Sequence, residues 1–134
     1  MTDLNKSLEV LERDVWNEPS FGSYVVKTCH AARKKPLGTL SDEEIRCLIA
    51  QKIGLRYLLP IAVARVERES MAEVAYFRGD LLLVLLRLEI GDWSQNRTEL
   101  LRFSALIRDN RGEIDACRDI PDGLTERYAV IIEV

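Results

Sequence analysis

One histidine, His30, is all the imidazole in this 134-residue chain, and that scarcity removes much chemistry at once. Neighbours in a helix point about 100° apart, so His30 and the adjacent Cys29 do not converge on one metal ion. There is no second histidine, no CxxC and no HExxH, so a zinc site has no spacing to build on. A histidine base needs an orienting carboxylate and a nucleophile, partners that only the fold can bring to it. His30 reads as a partly buried helix residue packed beside Tyr24 and Lys34.

Other scarcities narrow the field further. The seven glycines are scattered, so no Gly-rich turn cradles a phosphate, and no GxSxG elbow is present. Three cysteines at unrelated spacings imply no disulfide framework and agree with a reducing compartment. Cys29 and Cys47 fall on or near apolar stripes and read as small hydrophobes. The longest apolar run, Leu81 to Leu86, is far short of the ~20 residues a membrane span needs. The first residues lack the basic start and apolar stretch of a signal peptide, so the chain is expected in the cytoplasm. With 22 acidic against 19 basic side chains the net charge is −3, which leaves no dense basic face for nucleic acid. The sequence therefore assigns no catalytic, cofactor-binding or metal-binding residue. The expectation is a protein that binds another protein, not an enzyme.

What is present is mostly helical period. At 47% apolar and 31% charged, the composition belongs to an ordinary globular chain, and one domain over residues 1–134 is expected. Leu4, Leu8, Leu11 and Val15 recur at helical spacing, with Glu18-Pro19 closing that element. Phe21-Gly22-Ser23 makes a break, and Ser23 is placed to cap a helix from Tyr24 to about Lys35. Val25, Cys29 and Ala32 line one face of it, while Lys27, Arg33, Lys34 and Lys35 read as a solvated basic end suited to the helix dipole. Ser41-Asp42-Glu43-Glu44 spells a capping box, with Ile45, Leu48, Ile49 and Ile53 inward and Gly54 able to turn left-handed. Leu55, Leu58, Leu59, Ala62, Val63 and Val66 give the cleanest period, interrupted by Pro60. Leu81 to Leu88, flanked by Asp80 and Gly91, favours a central buried helix over a strand. Residues 94–109 read as a further helix with Leu100, Phe103 and Ile107 inward. Ala129 to Val134 fits either a short strand or a frayed helix end. The fold class is all-α: a compact bundle of antiparallel helices, with that C-terminal stretch left open.

Two features point outward. Between Asp109 and Glu126 stand six acids (Asp109, Glu113, Asp115, Asp119, Asp122 and Glu126) against two bases, Arg111 and Arg118. One reading is an ordinary polar surface; the other is an acidic patch that steers and pairs with a basic partner. Aromatics such as Trp16, Trp93, Tyr24, Tyr57, Tyr76 and Phe77 can anchor an interface, although helix packing accounts for each. Trp16 reads as a wedge between the first two helices.

Four segments then carry a resemblance. Asp14-Val15-Trp16-Asn17-Glu18-Pro19 is followed by the stretch from Val26 to Leu37. The run from Ile53 to Pro60 comes next, then Tyr76-Phe77-Arg78-Gly79-Asp80-Leu81-Leu82. In this order and spacing they resemble the immunity proteins of bacterial contact-dependent growth inhibition (CDI) systems, over roughly residues 4 to 90. The resemblance implies a cytoplasmic protein, encoded beside a large secreted effector. It would bind that effector's C-terminal toxin domain in a 1:1 complex. Many such toxins are nucleases, and inhibition covers the active site or blocks the substrate surface. An acidic surface suits a cleft built to hold phosphates. The expected toxin-binding set is Asp109, Glu113, Asp115, Asp119, Asp122 and Glu126, helped by Glu67, Glu69 and Glu73. A helical adaptor for some other protein is the alternative, and a small enzyme ranks behind both.

Overall fold

The computed structural model of the chain describes residues 3–17 and 22–131. Among these residues every regular element is helical: α1 (Leu8–Glu12), α2 (Tyr24–Ala32), α3 (Asp42–Ala50), α4 (Leu55–Arg68), α5 (Asp80–Leu86), α6 (Arg97–Asp109), α7 (Arg111–Asp115) and α8 (Glu126–Ala129). Two 3-10 turns, Leu37–Thr39 and Ile90–Trp93, join them. The expected all-α architecture is what forms.

Local chemistry sets most of the boundaries. The Ser23 hydroxyl accepts from the Val26 amide at 3.3 Å and starts α2. Ser41 and Glu44 form both bonds of the capping box, at 3.1 and 2.9 Å, and start α3. Gly54 adopts φ 66° as the residue before α4. A Cβ there would also stand 2.7 Å from a Leu8 methyl, so both backbone and packing require glycine.

The first helix is much shorter than its period suggests. Leu4 and Val15 are exposed and lie outside α1, and only Leu8 is buried there. The Ser7 hydroxyl accepts from the Val10 amide and starts the helix late. The carbonyls of Leu4 and Lys6 accept instead from Gly38 and Leu37, so tertiary pairing competes with helix for this backbone. Arg13, left-handed at φ 53°, ends the helix early. Glu18-Pro19, expected to end it, and Phe21 of the following break lie outside the described residues.

The basic end of α2 also departs from expectation. Arg33 is 1% exposed. Its Nη2 donates to Glu12 Oε1 at 2.9 Å and to the Asp14 carbonyl at 2.8 Å. Trp16 lies against the guanidinium at 4.0 Å and meets His30 edge-on at 5.2 Å. Arg33 is thus a buried cation joining the stretch after α1 to the end of α2. Trp16 does pack between them.

The core runs from Leu8 to Tyr128. Helix α5 crosses its centre, with Leu81, Leu82, Leu83, Leu85 and Leu86 all buried, which explains a run apolar on nearly every side. The C-terminal part is anchored by three rings. Trp93 stacks on Phe103 at 5.2 Å, and Tyr128 meets both edge-on. The Tyr128 hydroxyl donates to the Leu88 carbonyl at 2.5 Å and accepts from Trp93 Nε1 at 3.2 Å. Burial pushes this phenol up to about 12. Ala129 belongs to α8, which removes it from any strand; Ile132 to Val134 lie outside the described residues.

Pro60 sits inside α4 rather than in its first turn. A proline there offers no amide to the carbonyl four residues earlier, that of Arg56. The side chain of Asn96, buried before α6, donates to that carbonyl at 3.0 Å. Asn96→Ala should cost about 1–2 kcal/mol in urea unfolding. In a Pro60→Ala background, where residue 60 regains its amide, that cost should shrink by at least about 0.5 kcal/mol. Strictly additive costs would show that Asn96 acts elsewhere.

Candidate functional site

Between α4 and α5 the chain runs for eleven residues without helix, and it is fixed from below by one carboxylate. Asp80, only 2% exposed, accepts from the amides of Val74, Ala75 and Tyr76 at 2.9, 2.9 and 2.8 Å. Burial pushes its carboxyl up, but the amides of Tyr76, Val74, Ala75 and Phe77 outweigh burial and hold it below its ordinary value. An isolated antiparallel bridge pairs Glu73 with Arg78. Gly79, at φ 86°, lets the loop enter α5, and a Cβ there would stand 2.9 Å from Met71 Cε.

At the top of this loop Tyr76 is 64% exposed. The Arg46 guanidinium lies 4.8 Å from its ring centre. Arg46 is itself clamped, donating through Nε and Nη2 to both oxygens of Glu43 at 2.8 Å. That bidentate pair raises the guanidinium's pKa and lowers the Glu43 carboxyl's. Beside it, burial and the Glu43 contact push the Cys47 thiol up to about 11, and burial raises Cys29 too. Both are buried thiols kept protonated, consistent with packing rather than reactivity.

The expected acidic set divides into two kinds. Glu113 pairs with Arg78 at 2.5 Å, Asp115 with Arg111 at 2.9 Å, Glu126 also with Arg111, and Glu67 with Arg102. Thr125 adds a hydrogen bond to Asp115 at 3.2 Å. These four carboxylates therefore help hold the chain's own elements together. Asp109, Asp119, Asp122, Glu69 and Glu73 are exposed and enter no ion pair among the described residues. The nine do not converge on one concavity. Glu67, Glu69 and Glu113 share a cavity of about 300 Å³ with Arg68, Arg78 and Asn110. Asp119 and Asp122 stand on the exposed stretch between α7 and α8.

A second cavity of about 300 Å³, lined by Asp42, Arg65, Glu69, Ala72 and Val74, opens at the loop's base. A broader groove of about 1730 Å³ follows the outer side of α4, past Leu11, Tyr57, Pro60, Ile61 and Ala64. Among the described residues no three His, Cys, Asp or Glu side chains gather to hold a metal ion. No helix of the described residues is long and apolar enough to cross a membrane.

The CDI immunity proteins, as a family, match this chain over residues 10–103. The chain belongs to that family. No curated protein and no solved structure matches it. The matched span takes in α2 to α5, the Tyr76 loop and the first half of α6, and it stops before the acids that begin at Asp109. Sequence reasoning missed the loop as a unit, although an aperiodic stretch closing on Gly79-Asp80 was its available signal.

Asp80→Asn removes the charge and half of the acceptor capacity beneath the loop, and should cost about 2 kcal/mol in urea unfolding at neutral pH. Because the native carboxyl titrates below its ordinary 3.8, its contribution is complete above that value. It is lost as pH falls through the native one. The wild type should therefore lose stability over that acid range more steeply than the variant; parallel acid profiles would contradict the assignment.

Proposed function

We propose that this chain neutralises the C-terminal toxin domain of a cognate CDI effector by binding it 1:1 in the cytoplasm. The match to CDI immunity proteins over residues 10–103 is the observation that carries this reading. Neutralisation by contact needs no catalysis and no cofactor. It does need affinity: a nanomolar complex corresponds to about −12 kcal/mol.

A nuclease is the toxin class whose chemistry best suits the exposed acids. Its cleft must present cations to phosphates, and carboxylates can occupy those cations in place of substrate. The acids best suited are the uncommitted ones, Asp109, Asp119, Asp122, Glu69 and Glu73, since a carboxylate already paired at home must give up that partner first. Inhibition then follows from covering the active site or the surface that holds the nucleic acid.

Co-expression with the toxin domain encoded beside this gene should restore growth and yield a co-purifying 1:1 complex. Reversing charge at Asp109, Asp119 and Asp122 together should lower affinity by about tenfold or more at low salt, with less effect at high salt. Thermal stability should change little. Equal affinity at low salt would remove these acids from the interface, and absence of rescue by the wild type would defeat the immunity reading itself.

A further inference from the structure

We propose that the loop from Glu73 to Arg78 is a preformed docking finger whose anchor, Tyr76, seats in an apolar, cation-rimmed pocket of the toxin domain. The inference rests on the immunity reading above and adds to it a specific contact.

Tyr76 sets a large ring, apolar in body and polar at its tip, on an exposed loop where a partner can reach it. It is 64% exposed, yet one face of the ring has a partner within the fold. The Arg46 guanidinium lies over the ring, and Glu43 holds Arg46 with two hydrogen bonds, so a positioned neighbour on α3 favours one orientation of the ring. The backbone beneath it is fixed by the three amides that donate to Asp80. Binding normally loses free energy to the ordering of loops and side chains, and here the loop backbone is ordered beforehand. A rigid aromatic on a rigid loop is how binding surfaces concentrate affinity in one side chain.

The surroundings indicate what the ring would enter. Glu69 and Glu73 flank the loop, exposed and outside any ion pair among the described residues. The two cavities at the loop's base meet along Arg68, Glu69 and Ser70, giving a partner relief to grip on either side of the finger. The loop that carries the ring opens on the uncommitted carboxylate of Glu73, and a ring on such a loop complements an apolar slot with lysines or arginines at its rim. Clefts that stack bases and hold phosphates have that make-up. The broad groove along α4 is the competing surface. Its charges are mixed, with Lys6 and Arg56 beside Asp3 and Glu99, and its aromatic, Tyr57, is only half-buried where Tyr76 is exposed.

The test uses the full chain and the purified toxin domain encoded beside its gene. Affinity is measured for wild type, Tyr76→Ala and Tyr76→Phe, with thermal unfolding of each. Tyr76→Ala should weaken binding about 30-fold or more while its unfolding temperature stays near wild type. Tyr76→Phe should remain within about threefold, since the ring rather than the hydroxyl makes the contact. Nitration of exposed tyrosines in the wild type gives a readout independent of any variant's folding. Tyr76 should be modified in the free chain and protected in the complex, whereas Tyr24, also exposed, serves as the internal reference. Unchanged affinity for a folded Tyr76→Ala, or full nitration of Tyr76 in the complex, overturns the anchor. A wild type that fails to bind the toxin domain overturns the immunity reading and the anchor with it.

Discussion

A carboxylate buried at the head of a leucine helix is an unstable arrangement unless its oxygens are satisfied, and in this chain they are satisfied by the loop that precedes it. Asp80 opens α5, whose leucines fill the centre of the core. The same side chain gathers the amides of Val74, Ala75 and Tyr76. Core and presented surface are therefore mechanically joined: the loop cannot relax without exposing a charge to an apolar interior, and α5 cannot shift without releasing the loop. Helix α3 enters the same unit through Arg46, which Glu43 holds over the ring of Tyr76.

The parts legible in the sequence are those decided within a few residues. Ser41 and Glu44 lie three apart and make both bonds their spacing implies. The leucine run from Leu81 became a buried helix because apolar surface on all sides leaves no other place for it. Where contacts are distant in sequence, pattern alone misleads. Arg33 ends a helix, where a cation is commonly solvated, yet Glu12 and Trp16, some twenty residues earlier, close over it. The period of Leu4, Leu8, Leu11 and Val15 was real, but backbone pairing with Leu37 and Gly38 claimed the first residues before a helix could. The acidic segment followed the same logic. Its composition was plain, whereas the partition of its carboxylates depended on where Arg78 and Arg111 came to rest.

That partition bears on how an immunity protein can vary its target while keeping its fold. The family match ends at Phe103, and three of the five uncommitted candidate acids, Asp109, Asp119 and Asp122, lie beyond it. Yet this region is no appendage. Tyr128 ties α8 to the carbonyl of Leu88 and to Trp93, inside the core. Substitutions between α7 and α8 can change surface charge while the aromatic cluster keeps the segment in place.

The amide of Asn96 against the carbonyl that Pro60 leaves open has a consequence for the pairing of α4 with the start of α6. Apolar seams between helices tolerate sliding, since one methyl resembles the next. Here a displacement of one helical turn, about 5.4 Å, would break that bond and leave the Arg56 carbonyl without the donor that stands in for the missing proline amide. The proline interruption thus works as a notch and the asparagine as its key, and together they choose one alignment among several that hydrophobic contact alone would allow.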